Sequence, residues 1–320
     1  MTLEAQLADH HCWFAVDVAP GDPETTTWKR ATRLHQGLWR ESHGYPIGSH
    51  PHTGGTKARP VGSRLEVAFA ERTGANFLTP TIRQAVKDRL AFPEPKQMLD
   101  ARRLTADLLS SMPMCFNLFG ECYGDTEYTN RLVAALWPDA PKGDWDVLFE
   151  HSPGRGRPDY LGNRSAFDVA FRLRTSHGDS SVIGVETKYH EHATRMKPPL
   201  PVRLARYEEV TEASGAFVEG WRDYILGTEL EQIWLDHLLV LCMIQHPTDN
   251  CTWGRFVLVA PRGNPSFARA AGSYRAALRD QSTFEYRTIE DVLEAGVLRP
   301  DHEAAFCERY SFSAPGYYST

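Results

Sequence analysis

The sequence predicts an α/β fold, a mixed sheet flanked by helices, with a mainly helical N-terminal extension (residues 1–110) packed on a core at 111–320. Three observations predict it. Ala166-Phe167-Asp168-Val169-Ala170-Phe171 and Val182-Ile183-Gly184-Val185-Glu186-Thr187-Lys188-Tyr189 are rich in β-branched and aromatic residues, with Ser-His-Gly-Asp turn chemistry between them. Such runs read as two strands of a hairpin. Phe256-Val257-Leu258-Val259 is a short continuous apolar run of the kind a buried strand makes. Elsewhere apolar residues recur at helical spacing, as in Trp28, Ala31, Leu34, Leu38 and Trp39.

Taken in order, residues 1–26 carry no sustained period and are expected to form an irregular lead-in to a helix over 28–39. Residues 44–62, rich in Gly, Pro and His, read as a long loop. Helical patterns follow at 62–73, 79–91 and 96–110; Thr79-Pro80 supplies a capping hydroxyl and a proline at the first helical position. Residues 118–136 read as one helix, interrupted at Gly120 and Gly124 and ended by Pro138. A short strand at 146–150, a basic turn-rich loop at 152–158 and the two motif strands come next. Prolines near 197–200 mark a break before helices near 203–212, 216–226 and 228–244, the strand at 255–260 and a helix at 264–280. A short strand (283–287) and a short helix (289–295) follow. The central order is helix, strand, strand, strand, helix, strand.

Hydrophobic content of 42% and charged content of 24% are ordinary for a soluble globular protein. The longest apolar stretch, 233–244, is too short to span a membrane and is broken by Asp236 and His237. Met1-Thr2-Leu3-Glu4 lacks the basic and apolar regions of a signal peptide. Six cysteines without short paired spacing suit thiols of a reducing cytoplasm, so the expectation is a cytoplasmic protein with no membrane partner. Neither a Gly-x-Ser-x-Gly elbow nor a Walker phosphate loop is present, which leaves serine hydrolase and P-loop NTPase chemistry without support. The net charge is -6, yet residues 151–207 hold ten Arg/Lys against five Asp/Glu. That basic segment within an acidic chain is where a polyanion would bind.

Side chains alternate along a strand, so Glu186 and Lys188 share a face, with Asp168 on the neighbouring strand. Two carboxylates and an ammonium together can hold a hard divalent cation beside a phosphodiester. An acid among Phe, Val and Ala is costly to bury unless it is paired or ligating. The structural alternatives are an Asp168–Arg172 ion pair and a Glu186–Lys188 salt bridge. Glu94-Pro95-Lys96 repeats the Glu-x-Lys spacing between prolines and reads as loop, so strand context does the discriminating. His190-Glu191-His192 would offer zinc two ligands on one strand face, but no third lies at helpful spacing, and it reads as a wet strand end. His50-Pro51-His52 reads as loop decoration.

With Asp168 and Glu186-Thr187-Lys188 set in this element order, the chain resembles the PD-(D/E)xK nuclease superfamily, which includes restriction endonucleases and many repair nucleases. Cys115-Phe116-Asn117-Leu118-Phe119-Gly120, Phe149-Glu150, Asp168, Glu186-Thr187-Lys188-Tyr189-His190-Glu191 and Gln232-Ile233-Trp234 through His237-Leu238-Leu239 resemble a bacterial family within it, over residues 27–310. Phe167 stands where the superfamily's name has Pro, a replacement frequent in relatives; Pro158-Asp159 matches literally but lies in a Gly/Arg-rich loop. The resemblance implies a restriction-endonuclease-like core and a metal-dependent nuclease, an endonuclease in many relatives, acting on DNA. Asp168, Glu186 and the Thr187 carbonyl would bind Mg2+, or Mn2+ in its place, and Lys188 would assist the attacking water. A further acid is implied from the first strand or helix: Glu150, with Glu127 and Glu121 as alternatives. A polar residue on the later helix, Gln232, is implied to face the site. Arg155, Arg157, Arg195 and Lys197 flank the motif strands as candidates for DNA backbone contacts. A homodimer would be in keeping with the many relatives that cut as dimers. The alternatives are a non-catalytic member of the same fold that binds nucleic acid or protein, and a structural interaction protein whose acids and lysine form ion pairs.

Overall fold

The computed structural model describes residues 2–50, 59–97, 99–175 and 178–311. Pro51 and His52 therefore lie outside the described residues. The N-terminal third contains α1 (Leu3–Asp9), α2 (Pro23–Ser42), strands β1 (Ile47–Ser49) and β2 (Pro60–Leu65), and helices α3 (Val67–Thr73), α4 (Pro80–Ala91) and α5 (Ala101–Ala106). The core begins with α6 (Ser111–Phe119) and α7 (Thr126–Leu136). Strands β3 (Trp145–His151), β4 (Phe167–Arg174) and β5 (Ser180–Thr187) follow. Helices α8 (Pro201–Ser214), α9 (Trp221–Ile225) and α10 (Glu231–Gln245) lead to β6 (Cys251–Ala260). The chain continues through α11 (Pro265–Ala276), β7 (Phe284–Thr288), α12 (Ile289–Glu294) and α13 (Pro300–Tyr310).

Several expectations are corrected. Residues 1–26 are not wholly irregular: Thr2 Oγ1 caps α1 by accepting from the Ala5 N–H at 3.3 Å. A seven-residue helix is too short to display a clear period. The expected loop at 44–62 contains β1, which pairs antiparallel with β2. Gly48 permits that pairing, because a Cβ there would lie 2.2 Å from the Leu65 carbonyl oxygen. Close backbone approach explains a glycine that composition alone marks as loop. The helix expected at 62–73 divides between β2 and α3, that expected at 96–110 is confined to α5, and the 118–136 segment holds the end of α6, a 3-10 turn (Gly120–Cys122) and α7. Gly124, at φ +73°, turns the chain between the last two, and Asp125 caps α7 by accepting from the Tyr128 N–H. Thr79 and Pro80 open α4 as expected, the hydroxyl accepting from the Ile82 N–H.

The central sheet has five strands in the order β3-β4-β5-β6-β7. The β3-β4 and β4-β5 pairs are antiparallel; β5-β6 and β6-β7 are parallel. Parallel neighbours require crossovers, supplied by α8–α10 and by α11. Every residue of β5 is buried, as expected of a central strand covered on both sides. On one side Val169, Phe171, Ile183 and Val185 join Phe116, Phe119 and Leu132 of α6 and α7, together with Ile82 and Val86 of α4. On the other, Ala170, Val182, Phe256 and Leu258 join Trp234 and Leu238 of α10. Helix α4, from the N-terminal third, thus contributes to the cluster beneath the sheet.

The alternation slips at the start of β4. Phe167 and Val169 are two residues apart, yet they belong to opposite clusters. Phe167 fills the space above Gly184, where a Cβ would meet its ring carbon at 2.3 Å. Asp168 lies between the two. Among the described residues, no helix is long and apolar enough to cross a membrane. Gly184→Ala would force the Phe167 ring aside. The expected cost is about 1–3 kcal/mol, read by thermal or urea unfolding, as for overpacking of a filled core.

Candidate active site

The two motif strands end at a cavity of about 400 Å³. Asp168 comes from β4, Glu186 from the last turn-ward residues of β5, and Lys188 from just beyond it. Glu150 of β3 and Gln232 of α10 line the same cavity. Five side chains named from sequence are therefore brought together. Thr187 is fully buried beside them.

Each is positioned by identifiable contacts. Asp168 Oδ2 accepts from the Thr187 N–H at 2.8 Å and from its hydroxyl at 2.6 Å. This is the contact Asp168 makes, in place of the Arg172 pair considered from sequence. Lys188 Nζ donates to Glu186 Oε1 at 2.6 Å. Gln232 Nε2 donates to the same oxygen at 3.3 Å. The β3-β4 register pairs Phe149 with Val169 and His151 with Phe167, which sets Glu150 opposite Asp168. Glu150 has φ +52°, an uncommon conformation for a residue with a Cβ, and its carbonyl accepts from Arg155 Nη2 at 3.0 Å and Arg89 Nη2 at 3.3 Å.

Burying like charges together sets the electrostatics. Burial, then repulsion from Asp168, pushes the Glu150 carboxyl up to about 8. The same two causes raise Glu186 well above the usual carboxylate range. Burial also raises Asp168, opposed by Lys188 and the Thr187 hydrogen bonds. Lys188 is depressed by burial, but the charges of Glu186, Asp236, Glu191 and Asp168 outweigh that and hold it above an ordinary lysine. It therefore stays an ammonium.

Asp236, Glu191 and Arg103 are among the lining residues given no site role from sequence. Asp236 lies one turn along α10 from Gln232, and residues four apart share a helix face. It is 6% exposed, and its Oδ2 has no hydrogen-bond partner. Burial pushes its carboxyl up to about 7. The i, i+4 spacing from Gln232 was the available signal. Glu191 accepts from the Ser111 hydroxyl at 3.0 Å, the Tyr189 N–H at 2.9 Å and Arg103 at 3.4 Å. Arg103, on α5, carries a sequence signal too weak to find, because only tertiary folding brings it here.

The other expected residues lie elsewhere. Glu121 is buried against Arg299 and the Thr79 hydroxyl, and Glu127 is exposed beside Arg131. Arg155 reaches the cavity, but its guanidinium is also engaged by Glu94 at 3.3 Å. Glu94, of the Glu-Pro-Lys sequence, forms a structural hub with His151, Arg155, Arg89 and the Ser152 N–H. Arg157 pairs with Asp159, Arg195 is exposed, and Lys197 lines a neighbouring cavity of about 260 Å³. The histidines of His190-Glu191-His192 have separate partners: His190 Nε2 lies 2.9 Å from Asp17 Oδ1, and His192 Nδ1 lies 3.2 Å from Lys29 Nζ.

Does the site suit a divalent cation? Its donor set is oxygen only, as Mg2+ and Mn2+ prefer, and a buried carboxylate oxygen stands unpartnered in it. Among the described residues, no three His, Cys, Asp or Glu side chains are already arranged to hold an ion. Glu186 is engaged by Lys188 and Asp168 by Thr187. The ligand chemistry fits; a cation would have to draw these carboxylates from their present partners.

No match to the chain was found among curated proteins, and none among solved structures. The family model of the PD-(D/E)XK nuclease superfamily, in contrast, matches residues 22–312. That match takes in every element from α2 to α13, the whole five-stranded sheet included. With the mixed sheet and its flanking helices in the expected order, it shows that the chain belongs to the PD-(D/E)XK nuclease superfamily.

Proposed function

We propose that this protein is a Mg2+-dependent nuclease that hydrolyses phosphodiester bonds of DNA, with Mn2+ able to replace Mg2+. The observation that carries the proposal is one cavity lined by Asp168, Glu186, Glu150 and Lys188 at the end of the motif strands. Arg103, Arg155 and Arg164 line it too, which suits a polyanionic substrate. Asp168, Glu186 and the Thr187 carbonyl would hold the cation, with Glu150 as the further acid. Bound there, the cation supplies Lewis acidity toward phosphate and lowers the pKa of a coordinated water.

The chain's own residues do the rest. Thr187 fixes Asp168 through two donated hydrogen bonds, and Gln232 steadies Glu186. Lys188, held protonated by the surrounding acids, is suited to stabilise negative charge developing on phosphate and to orient the attacking water. It is poorly suited to take a proton itself. A non-catalytic nucleic-acid-binding member of the fold is the second reading, favoured by one observation: among the described residues, no three acids are yet set for a metal.

Purified protein incubated with plasmid, linear and single-stranded DNA, and with RNA, in Mg2+, Mn2+ or EDTA decides between them. Metal-dependent DNA cleavage is expected, reduced about a hundredfold or more in Lys188→Met and in Asp168→Ala. Nucleic-acid binding without cleavage under every metal would favour the second reading.

A pH dependence follows from Glu150. Its folded-state pKa is raised from 4.5 to about 8, so between those values the folded protein retains a proton that the unfolded chain has lost. Stability from this group is present below 4.5 and is lost as pH rises through 8. Glu150→Gln should therefore stabilise the metal-free protein at pH 8 by something on the order of 1 kcal/mol. The difference should close as pH falls toward 4.5, as measured by melting temperature in EDTA.

A further inference from the structure

Lys188 and any cation that takes Glu186 compete for the same carboxylate, because Lys188 Nζ already donates to Glu186 Oε1 at 2.6 Å. A cation binding there would displace an ammonium that is itself buried. An ammonium in that position needs another counter-charge, since an unpaired buried charge is strongly unfavourable. Asp236 answers the need. It lines the same cavity, is more than nine-tenths buried, and its Oδ2 has no hydrogen-bond partner. Gln232, one turn earlier on the same helix, already donates to Glu186. One face of α10 therefore presents a donor for the carboxylate that would ligate the metal and an acceptor for the lysine that would leave it.

We propose that Asp236 is a positioning residue: it receives the Lys188 ammonium when a divalent cation occupies Glu186. The inference rests on the metal-dependent reading above. The four-carbon lysine stem turns, and a hydrogen bond to Glu186 is exchanged for one to Asp236. No covalent bond forms or breaks, and the proton stays on Nζ. Glu186 Oε1 sheds the ammonium and keeps its Gln232 hydrogen bond, and Lys188 remains in the cavity beside the substrate phosphate. This gives the unpartnered Asp236 oxygen a role that a purely structural aspartate would not need.

The test is calorimetric titration of the full chain with Mn2+ alone, without nucleic acid, on wild type, Asp236→Asn, Lys188→Met and the double variant. Asp236→Asn is expected to weaken Mn2+ binding roughly tenfold to a hundredfold, as loss of an outer supporting group does. In the Lys188→Met background, where no ammonium needs rehousing, the same substitution should have no effect. An equal loss in both backgrounds would make Asp236 a direct ligand and overturn the proposal. No loss in either would overturn it as well. Wild-type protein that binds no Mn2+ would instead sink the metal reading, and this inference with it. A crystal structure of the wild type soaked in Mn2+ requires no variant to fold. Lys188 is expected against Asp236, and Lys188 still bonded to a metal-bound Glu186 would refute the proposal.

Discussion

The ion pair between Lys188 and Glu186 is the contact on which the rest of the site depends. Five carboxylates line one cavity at the end of the sheet, and Lys188 sits among them. Burial raises the proton affinity of Glu150, Glu186, Asp168 and Asp236, and repulsion from Asp168 raises Glu150 and Glu186 further. The ammonium offsets part of that repulsion, and the fold tolerates the remainder by letting acids such as Glu150 keep a proton near neutral pH. A site assembled this way is under electrostatic tension until positive charge enters it. Stability and affinity for a cation are therefore opposed, as is common where function requires groups that folding alone would not place together.

The opposition is carried by ordinary packing. Phe167 lies over Gly184, and so the alternation of β4 slips where Asp168 begins. Glu150 takes a left-handed backbone conformation directly across from it, where its carbonyl is held by Arg155 and Arg89. Two departures from regular strand geometry meet at the carboxylates. Irregular backbone at a sheet end is a recognised way to re-aim side chains toward a site.

The strands bearing Asp168 and Glu186 were legible because β-branched and aromatic runs bounded by turn residues have few other uses. The helix carrying Gln232 was legible from its length. Asp236 was read only as an interruption of an apolar stretch, because in one dimension a buried acid and a broken hydrophobic run look alike. Arg103 was invisible as a cavity residue, since α5 meets the segment after β5 only through tertiary folding, whereas Glu191 was read as part of a wet strand end near the substrate groove. Arg155 illustrates the converse: its charge was evident, but not that Glu94, within a Glu-Pro-Lys sequence set aside as loop, would occupy its guanidinium. The β1-β2 pair escaped because Gly48 signals close backbone approach and loop with the same letter.

The residue after the lysine, Tyr189, is held from both ends of the chain. Its carbonyl accepts from Trp28 Nε1 at 3.2 Å and Asn264 Nδ2 at 3.0 Å, and its hydroxyl accepts from Gln36 Nε2 at 2.8 Å. Its ring packs against Tyr310 of α13, where Arg309 is buried with Gln36 and Asn76. The contacts that fix the backbone beside Lys188 thus have very high sequence separation, which makes their formation slow. The three hydrogen bonds draw on α2 and the N-cap of α11, and the ring contact draws on α13. A packing change in α13, far from the cavity, would therefore reach Lys188 through the ring of the residue beside it.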